Sequence, residues 1–177
     1  MKVLKYIMII LGIIVGLFLI VALFLPATYT VERSLKIDQP VEKVYKTISS
    51  FSDRLKWDPW MEMDPDAIVT FTGPDSGVGA SYTWDGEIVG QGKIVITEII
   101  ENEFVKSDLE FIVPFESKSK ITWELTKIDS VTTNVSWSNT GNSDYPIGRY
   151  MGLTMDSMLG PDFEKGLNNL AEYFKGD

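Results

Sequence analysis

From Tyr6 to Leu25 the chain runs for twenty residues without a charge, dominated by Ile, Leu, Val and Phe. At 1.5 Å per residue such a helix spans a hydrocarbon core of about 30 Å. A core helix of a soluble protein seldom stays apolar on every face for so long, so the run predicts a transmembrane helix. A cleaved signal peptide is the competing reading, because Lys2 and Lys5 form a basic leader and Leu25-Pro26-Ala27 loosely imitates a cleavage site. Against it, the run exceeds the usual apolar region of about 7 to 15 residues. Leu25 also stands where a small residue is wanted, and the chain has no cysteine for lipid attachment. Residues 1–27 are therefore expected to be an uncleaved anchor and residues 28–177 a folded domain. The basic residues ahead of the run, with the next one delayed to Arg33, place the N-terminus in the cytoplasm and the domain outside.

Beyond the apolar run the periodicity changes. Tyr29 to Ile37 alternates as a half-buried strand does, and Asp38-Gln39-Pro40 stops it. Pro40 suits a first helical turn, and Val41, Val44, Tyr45 and Ile48 then recur at helical spacing. Phe51 to Trp60 predicts a second short, irregular helix. From Asp66 a period of two takes over, through Val69 and Phe71, then Ala80, Tyr82 and Trp84, then Ile88–Ile99, Phe104–Val113, Ser117–Leu125 and Val131–Ser138. In the last two strands Ile121, Trp123 and Leu125, with Val131, Thr133, Val135 and Trp137, point to one face. A meander with a single apolar face needs a cover. Ile147, Met151, Met155, Met158, Phe163, Leu167, Leu170 and Phe174 supply it as an amphipathic helix about seven turns long. A kink or restart is expected at Gly160-Pro161.

Composition narrows the chemistry. Cysteine and histidine are both absent, which removes thiol nucleophiles, disulfides, imidazole bases and the usual zinc ligands together. Any metal would have to be oxygen-ligated, and no cofactor signature stands in the chain. The net charge of −9 becomes −11 once Lys2 and Lys5 are set aside, since 14 basic residues then face 25 acidic ones. That sign opposes nucleic acid and anionic lipid surfaces as partners of the folded domain. Gly77-Val78-Gly79 and Gly90-Gln91-Gly92 extend to no phosphate-binding pattern and lie in strand territory, so they are read as turn and sheet-bending glycines.

The order strand, two helices, six strands and a long terminal helix resembles the START-like, or SRPBCC, superfamily. Trp57-Asp58-Pro59-Trp60, Gly77-Val78-Gly79-Ala80 leading to Trp84, Gly90-Gln91-Gly92, and Gly160-Pro161-Asp162-Phe163-Glu164-Lys165-Gly166-Leu167 are similar to its polyketide cyclase/dehydrase branch. The likeness runs from about Thr28 to Lys175, and members with an N-terminal membrane helix resemble the chain end to end. It implies an α+β helix-grip fold, an antiparallel sheet wrapped around the C-terminal helix with a cavity between them. It implies no particular activity, because a superfold hosts many functions.

Candidate ligand contacts follow from where such a cavity would lie. Trp57, Trp60, Tyr82, Trp84, Phe111, Phe115, Trp123 and Trp137 could line a site for a flat or acyl ligand, or could simply be packed core. Met151, Met155 and Met158 form a flexible thioether stripe that serves equally as core or as cavity wall. Asp58, Glu62 and Asp64 are a conceivable acid/base group, with solvated surface acids as the simpler account. Tyr145 and Arg149 could clamp a ligand carboxylate or phosphate, though a helix-end salt bridge explains Arg149 as well. The expectation is a membrane-tethered domain that binds a hydrophobic small molecule or lipid without covalent chemistry. The alternatives are a cyclase-, dehydrase- or hydrolase-like enzyme using the same cavity, and an interaction module whose interior is filled.

Overall fold

The computed structural model describes residues 2–176. Helix α1 (Lys2–Phe24) is followed by β1 (Thr28–Ile37), α2 (Val41–Ser49), α3 (Phe51–Arg54) and α4 (Pro59–Met63). Six further strands come next: β2 (Ile68–Thr72), β3 (Ser81–Gly86), β4 (Gly90–Ile100), β5 (Phe104–Val113), β6 (Ser117–Lys127) and β7 (Thr133–Asn142). The chain closes with α5 (Ile147–Gly152) and α6 (Met155–Tyr173). The seven strands form one antiparallel sheet in the order β1-β7-β6-β5-β4-β3-β2, with α6 laid across it against β1. This is the helix-grip arrangement of an α+β domain.

α1 is long and apolar enough to cross a membrane, and almost all of its surface is exposed. The core lies between the concave face of the sheet and the helices. Ile94 and Ile96 of β4, Ile121, Trp123 and Leu125 of β6, and Val135 and Trp137 of β7 meet Phe163, Leu167 and Leu170 of α6 there. The period of two over these residues sends every second one inward, which is why the sheet was readable from its pattern. Val131 departs from that reading. It precedes the first paired residue of β7, lies in the turn and is 60% exposed.

Two helical boundaries also differ from expectation. The predicted single helix over Phe51–Trp60 is split into α3 and α4, because Pro59 disfavours helical backbone at Asp58, which is extended at φ −63°, ψ 123°. Asp58 then caps α4 by accepting from the backbone N–H of Trp60 at 3.0 Å. In the C-terminal cover, the break falls at Leu153–Thr154 rather than at Gly160-Pro161. Leu153 and Thr154 donate to the carbonyls of Tyr150 and Met151, tightening the last turn of α5 and ending it. Pro161 sits inside α6 and costs it one backbone donor, while Phe163, Leu167 and Leu170 hold the helix on the sheet.

Close approach requires glycine at two positions. Gly90 opens β4 in the left-handed region at φ +67°. Gly166 faces the Trp137 ring and Pro59, and a Cβ there would stand 2.7 Å from the ring and 3.1 Å from the proline. Neither neighbour is flexible. Gly166→Ala is therefore expected to cost about 1–3 kcal/mol through overpacking, read as a lower urea midpoint with unchanged m-value.

Candidate functional site

A cavity of about 150 Å³ lies between the sheet and the helices. Its walls come from β3 (Tyr82, Trp84), β4 (Ile94), β5 (Leu109, Phe111), β6 (Ser117, Ser119, Ile121) and β7 (Trp137, Asn139). The helices add Arg54, Asp58, Trp60, Met61, Met155, Leu159 and Phe163, and Tyr29 and Val89 complete it. The walls are chiefly apolar and aromatic, as small-molecule sites usually are. Trp84 of β3 and Phe111 of β5 flank Gly92 of the intervening β4 and meet edge-on across it, with centroids 5.3 Å apart. Trp137 stacks on Phe163 at 4.2 Å with 7° between planes and takes Trp60 edge-on at 5.5 Å.

One ion pair is sunk into this apolar setting. The Arg54 guanidinium and the Asp58 carboxylate, four residues apart, approach to 3.3 Å with both side chains almost fully buried. Arg54 also lies over the rings of Trp123 and Trp137, 5.5 Å from each centroid. Burial pushes the Asp58 carboxyl above the usual carboxylate range, opposed by the Arg54 charge and by the backbone N–H groups of Trp60 and Met61. Burial likewise raises the Tyr82 hydroxyl, helped by the nearby Asp58 charge. The Asn139 side-chain oxygen is buried without a hydrogen-bond partner. The Tyr29 hydroxyl is bonded to Ser119, and its pKa is raised by burial. The cavity thus has an apolar body, a polar corner of Arg54, Asp58 and Tyr82, and the Asn139 oxygen on its β7 wall.

The sequence candidates divide. Trp60, Tyr82, Trp84, Phe111, Trp137 and Met155 stand on the cavity wall. Trp57 and Trp123 do not, since they pack edge to face behind it at 5.7 Å, and Trp123 stacks on Trp137 at 4.3 Å. Phe115 is 77% exposed at the tip of the β5–β6 hairpin. Met151 and Met158 are also exposed and off the wall. Met151 belongs to α5, beyond the break. Within α6 Met155, Leu159 and Phe163 reach the cavity, while Met158 is 59% exposed.

Asp58 is no solvated surface acid, and neither is Asp64, whose carboxylate accepts from the backbone N–H groups of Ile88 and Val89 at 2.8 and 3.2 Å and ties down the β3–β4 turn. Glu62 lies outside, paired with Lys165 at 3.0 Å. Arg149 is engaged by a backbone carbonyl rather than by a carboxylate. It donates to the Leu25 carbonyl at 2.7 Å, and the Tyr145 hydroxyl donates to the Leu19 carbonyl at 3.2 Å. Arg54 was missed, although a charged pair at a spacing of four within Phe51-Ser52-Asp53-Arg54-Leu55-Lys56-Trp57-Asp58 was a signal for it. Among the described residues no group of three or more acidic side chains is arranged to hold a metal ion.

The family model described as polyketide cyclase/dehydrase and lipid transport matches residues 28–175. No curated protein matches the sequence. Solved structures do. A protein from Thermobifida fusca is similar at 19% identity and a TM-score of 0.60, over 82% of this chain and 92% of that one. The protein MLL2253 from Mesorhizobium loti is similar at 18% identity and 0.57, over 81% and 97%. DynU16, from the dynemicin biosynthetic locus, is similar at 14% identity and 0.59, over 82% of this chain. This chain spans 47% of the length of DynU16. At these identities the likeness is one of fold.

Proposed function

This chain belongs to the polyketide cyclase/dehydrase and lipid transport family, whose fold implies a hydrophobic ligand-binding cavity, and on that premise we propose a membrane-tethered binder of a small apolar ligand. In this reading residues 28–177 hold the ligand in the cavity without covalent chemistry, and residues 1–27 anchor the domain outside the cytoplasmic membrane face. The observation that carries it is the cavity itself, apolar on most walls with one buried ion pair set into it. A volume near 150 Å³ suits a body of roughly one aromatic ring, the size that engineered apolar cavities of that volume accept. Arg54 and the Tyr82 hydroxyl can donate at the polar corner, so the favoured ligand carries a hydrogen-bond acceptor at one end. A long acyl chain would have to displace the half-buried Met155 and Leu159. Tethering raises the effective concentration of the domain near any membrane-dissolved ligand.

Titration calorimetry with toluene and with benzoate tests this. Saturable binding of either is expected, together with a loss of at least about tenfold, or 1.4 kcal/mol, in Leu109→Trp, which fills the cavity from a half-buried wall position. Equal heats from wild type and Leu109→Trp, with melting unchanged, would sink the cavity as the binding site.

Asp58 favours a second reading. A buried carboxyl on the cavity wall with a raised pKa is a candidate general acid for an enzyme acting on an apolar substrate. Its two oxygens already face the Trp60 N–H and the Arg54 guanidinium, which accounts for its burial without any reaction. Turnover of a bound ligand that vanishes in Asp58→Asn, with binding retained, would move the weight to the enzyme.

A further inference from the structure

The antiparallel order puts the ends of β3, β5 and β7 and the starts of β4, β6 and β1 along one edge of the molecule, shown by the pairs Gly86 with Gly90, Phe111 with Ser117 and Thr28 with Asn142. The two hairpin tips at this edge expose Ile88 and Phe115, at 71% and 77%. Four residues separate β7 from α5, which exposes Ile147 and Met151, at 64% and 51%. Large apolar side chains exposed by half or more and gathered at one end mark a surface that something covers.

What covers it follows from α1. Only Leu25, Pro26 and Ala27 separate α1 from β1, which is at most about 10 Å of chain. The Ala27 carbonyl is itself held by the Ser143 N–H at 2.8 Å, so this linker is pinned to the end of β7. α5 lies alongside the last two turns of α1. Phe18 and Tyr150 stack with centroids 4.5 Å apart, the Tyr150 hydroxyl donates to the Phe18 carbonyl at 2.7 Å, and Arg149 caps the helix end through Leu25. If Tyr6–Leu25 crosses a bilayer, α5 shares the depth of Phe18–Leu25, about 10 Å of helix. Tyrosines and an arginine with its head near the helix end are the side chains that settle at a membrane interface.

We propose that this edge of the domain, formed by α5 and the β3–β4 and β5–β6 hairpin tips, is a membrane-docking face seated in the leaflet at the C-terminal end of α1. The proposal rests on the reading of α1 as a membrane span. Tyr29, Val89, Phe111, Ser117 and Met155 line the cavity within a few positions of the same turns, so the docked edge turns this end of the cavity toward lipid. The charges on the tips and before α5, Glu87, Glu116 and Asp144, are acidic, and the nearby cations are engaged, Lys118 with Glu110 and Arg149 with the Leu25 carbonyl, so insertion is driven by apolar side chains rather than by attraction to anionic headgroups.

The absence of cysteine allows single reporters in the full chain. Ile13→Cys, Met151→Cys, Phe115→Cys and Val131→Cys, each carrying an environment-sensitive fluorophore, are placed in phosphatidylcholine vesicles and exposed to a quencher borne on the lipid acyl chains or to one dissolved in water. The expected result is lipid-borne quenching at positions 151 and 115 several-fold above that at 131, which lies at the opposite end of the sheet, unchanged by added salt. Quenching at 13 with none at 151 and 115 would overturn the docking face and leave the membrane span intact. No lipid-borne quenching at 13, with release of the protein by alkaline carbonate, would remove the span and the docking face with it. Protection of 151 and 115 from both quenchers would show a second copy of the chain on this edge and would also overturn the proposal.

Discussion

Arg54→Met is expected to lower the stability of the fold by about 3–5 kcal/mol at neutral pH, because it leaves the Asp58 carboxylate buried without its counter-charge. The loss should depend on pH with a definite sign. Burial holds the folded-state pKa of Asp58 above its ordinary value of 3.8, so the proton binds the native state more tightly than the unfolded chain. Stability from that proton is complete below the unfolded pKa and is lost as pH rises through the raised folded one. Removing Arg54 takes away the charge that opposes the rise, so the variant loses stability over a wider span of pH than wild type. Paired urea melts at pH 5 and pH 8 should give a smaller difference between the two proteins at pH 5. A difference that is equal at both pH values would mean that Asp58 is not the group left stranded. The double variant Arg54→Met, Asp58→Asn should recover most of the loss, since asparagine keeps the cap on Trp60 without the charge.

Trp137→Ala should cost a similar 3–5 kcal/mol, at the upper end for a core aromatic. The ring is fully buried and is gripped from three sides by Trp123, Phe163 and Trp60. It is also a cavity wall, so the deletion enlarges the cavity as well as loosening the core. The variant should therefore bind a bulkier probe, such as naphthalene, better than wild type relative to toluene. Phe115→Ala, which removes another aromatic side chain but from an exposed tip, should change stability by no more than about 0.5 kcal/mol in the absence of membrane. If Trp137→Ala melts as wild type does, Trp137 is not the keystone of the aromatic stack.

The element order was legible because each element carries a periodicity that only one backbone geometry satisfies. In β6 and β7 the inward residues are those the pattern named, with Val131 as the exception at a turn, while the ladder of β4 with β5 carries register shifts at Gln91/Gly92 and Ile96/Glu98 that the pattern did not show. The candidate site was legible in part. Aromatic residues at mid-strand positions, such as Tyr82, Trp84, Phe111 and Trp137, reach the cavity because alternation fixes the face on which they stand. The pattern cannot say whether an inward ring touches free space or another ring, and Trp123 sits behind Trp137 for that reason. Met151 left the methionine stripe for a related cause, since a break of two residues at Leu153–Thr154 puts it on a different helix from Met155. Arg54 and Asp58 look like ordinary surface charges in a list of residues. Their burial is decided by the sheet and by α6 folding over them, through contacts more than sixty residues away in the chain.

By itself, then, the sequence determined the long apolar helix, the antiparallel meander, the apolar face of each strand and the amphipathic cover, because composition and period act over neighbouring residues. Only the tertiary structure decided the volume and polar corner of the cavity, the edge that gathers Ile88, Phe115 and Met151, and the contacts of α5 with α1. These depend on which distant surfaces meet, and the hydrophobic effect that brings them together rewards buried area without specifying a partner.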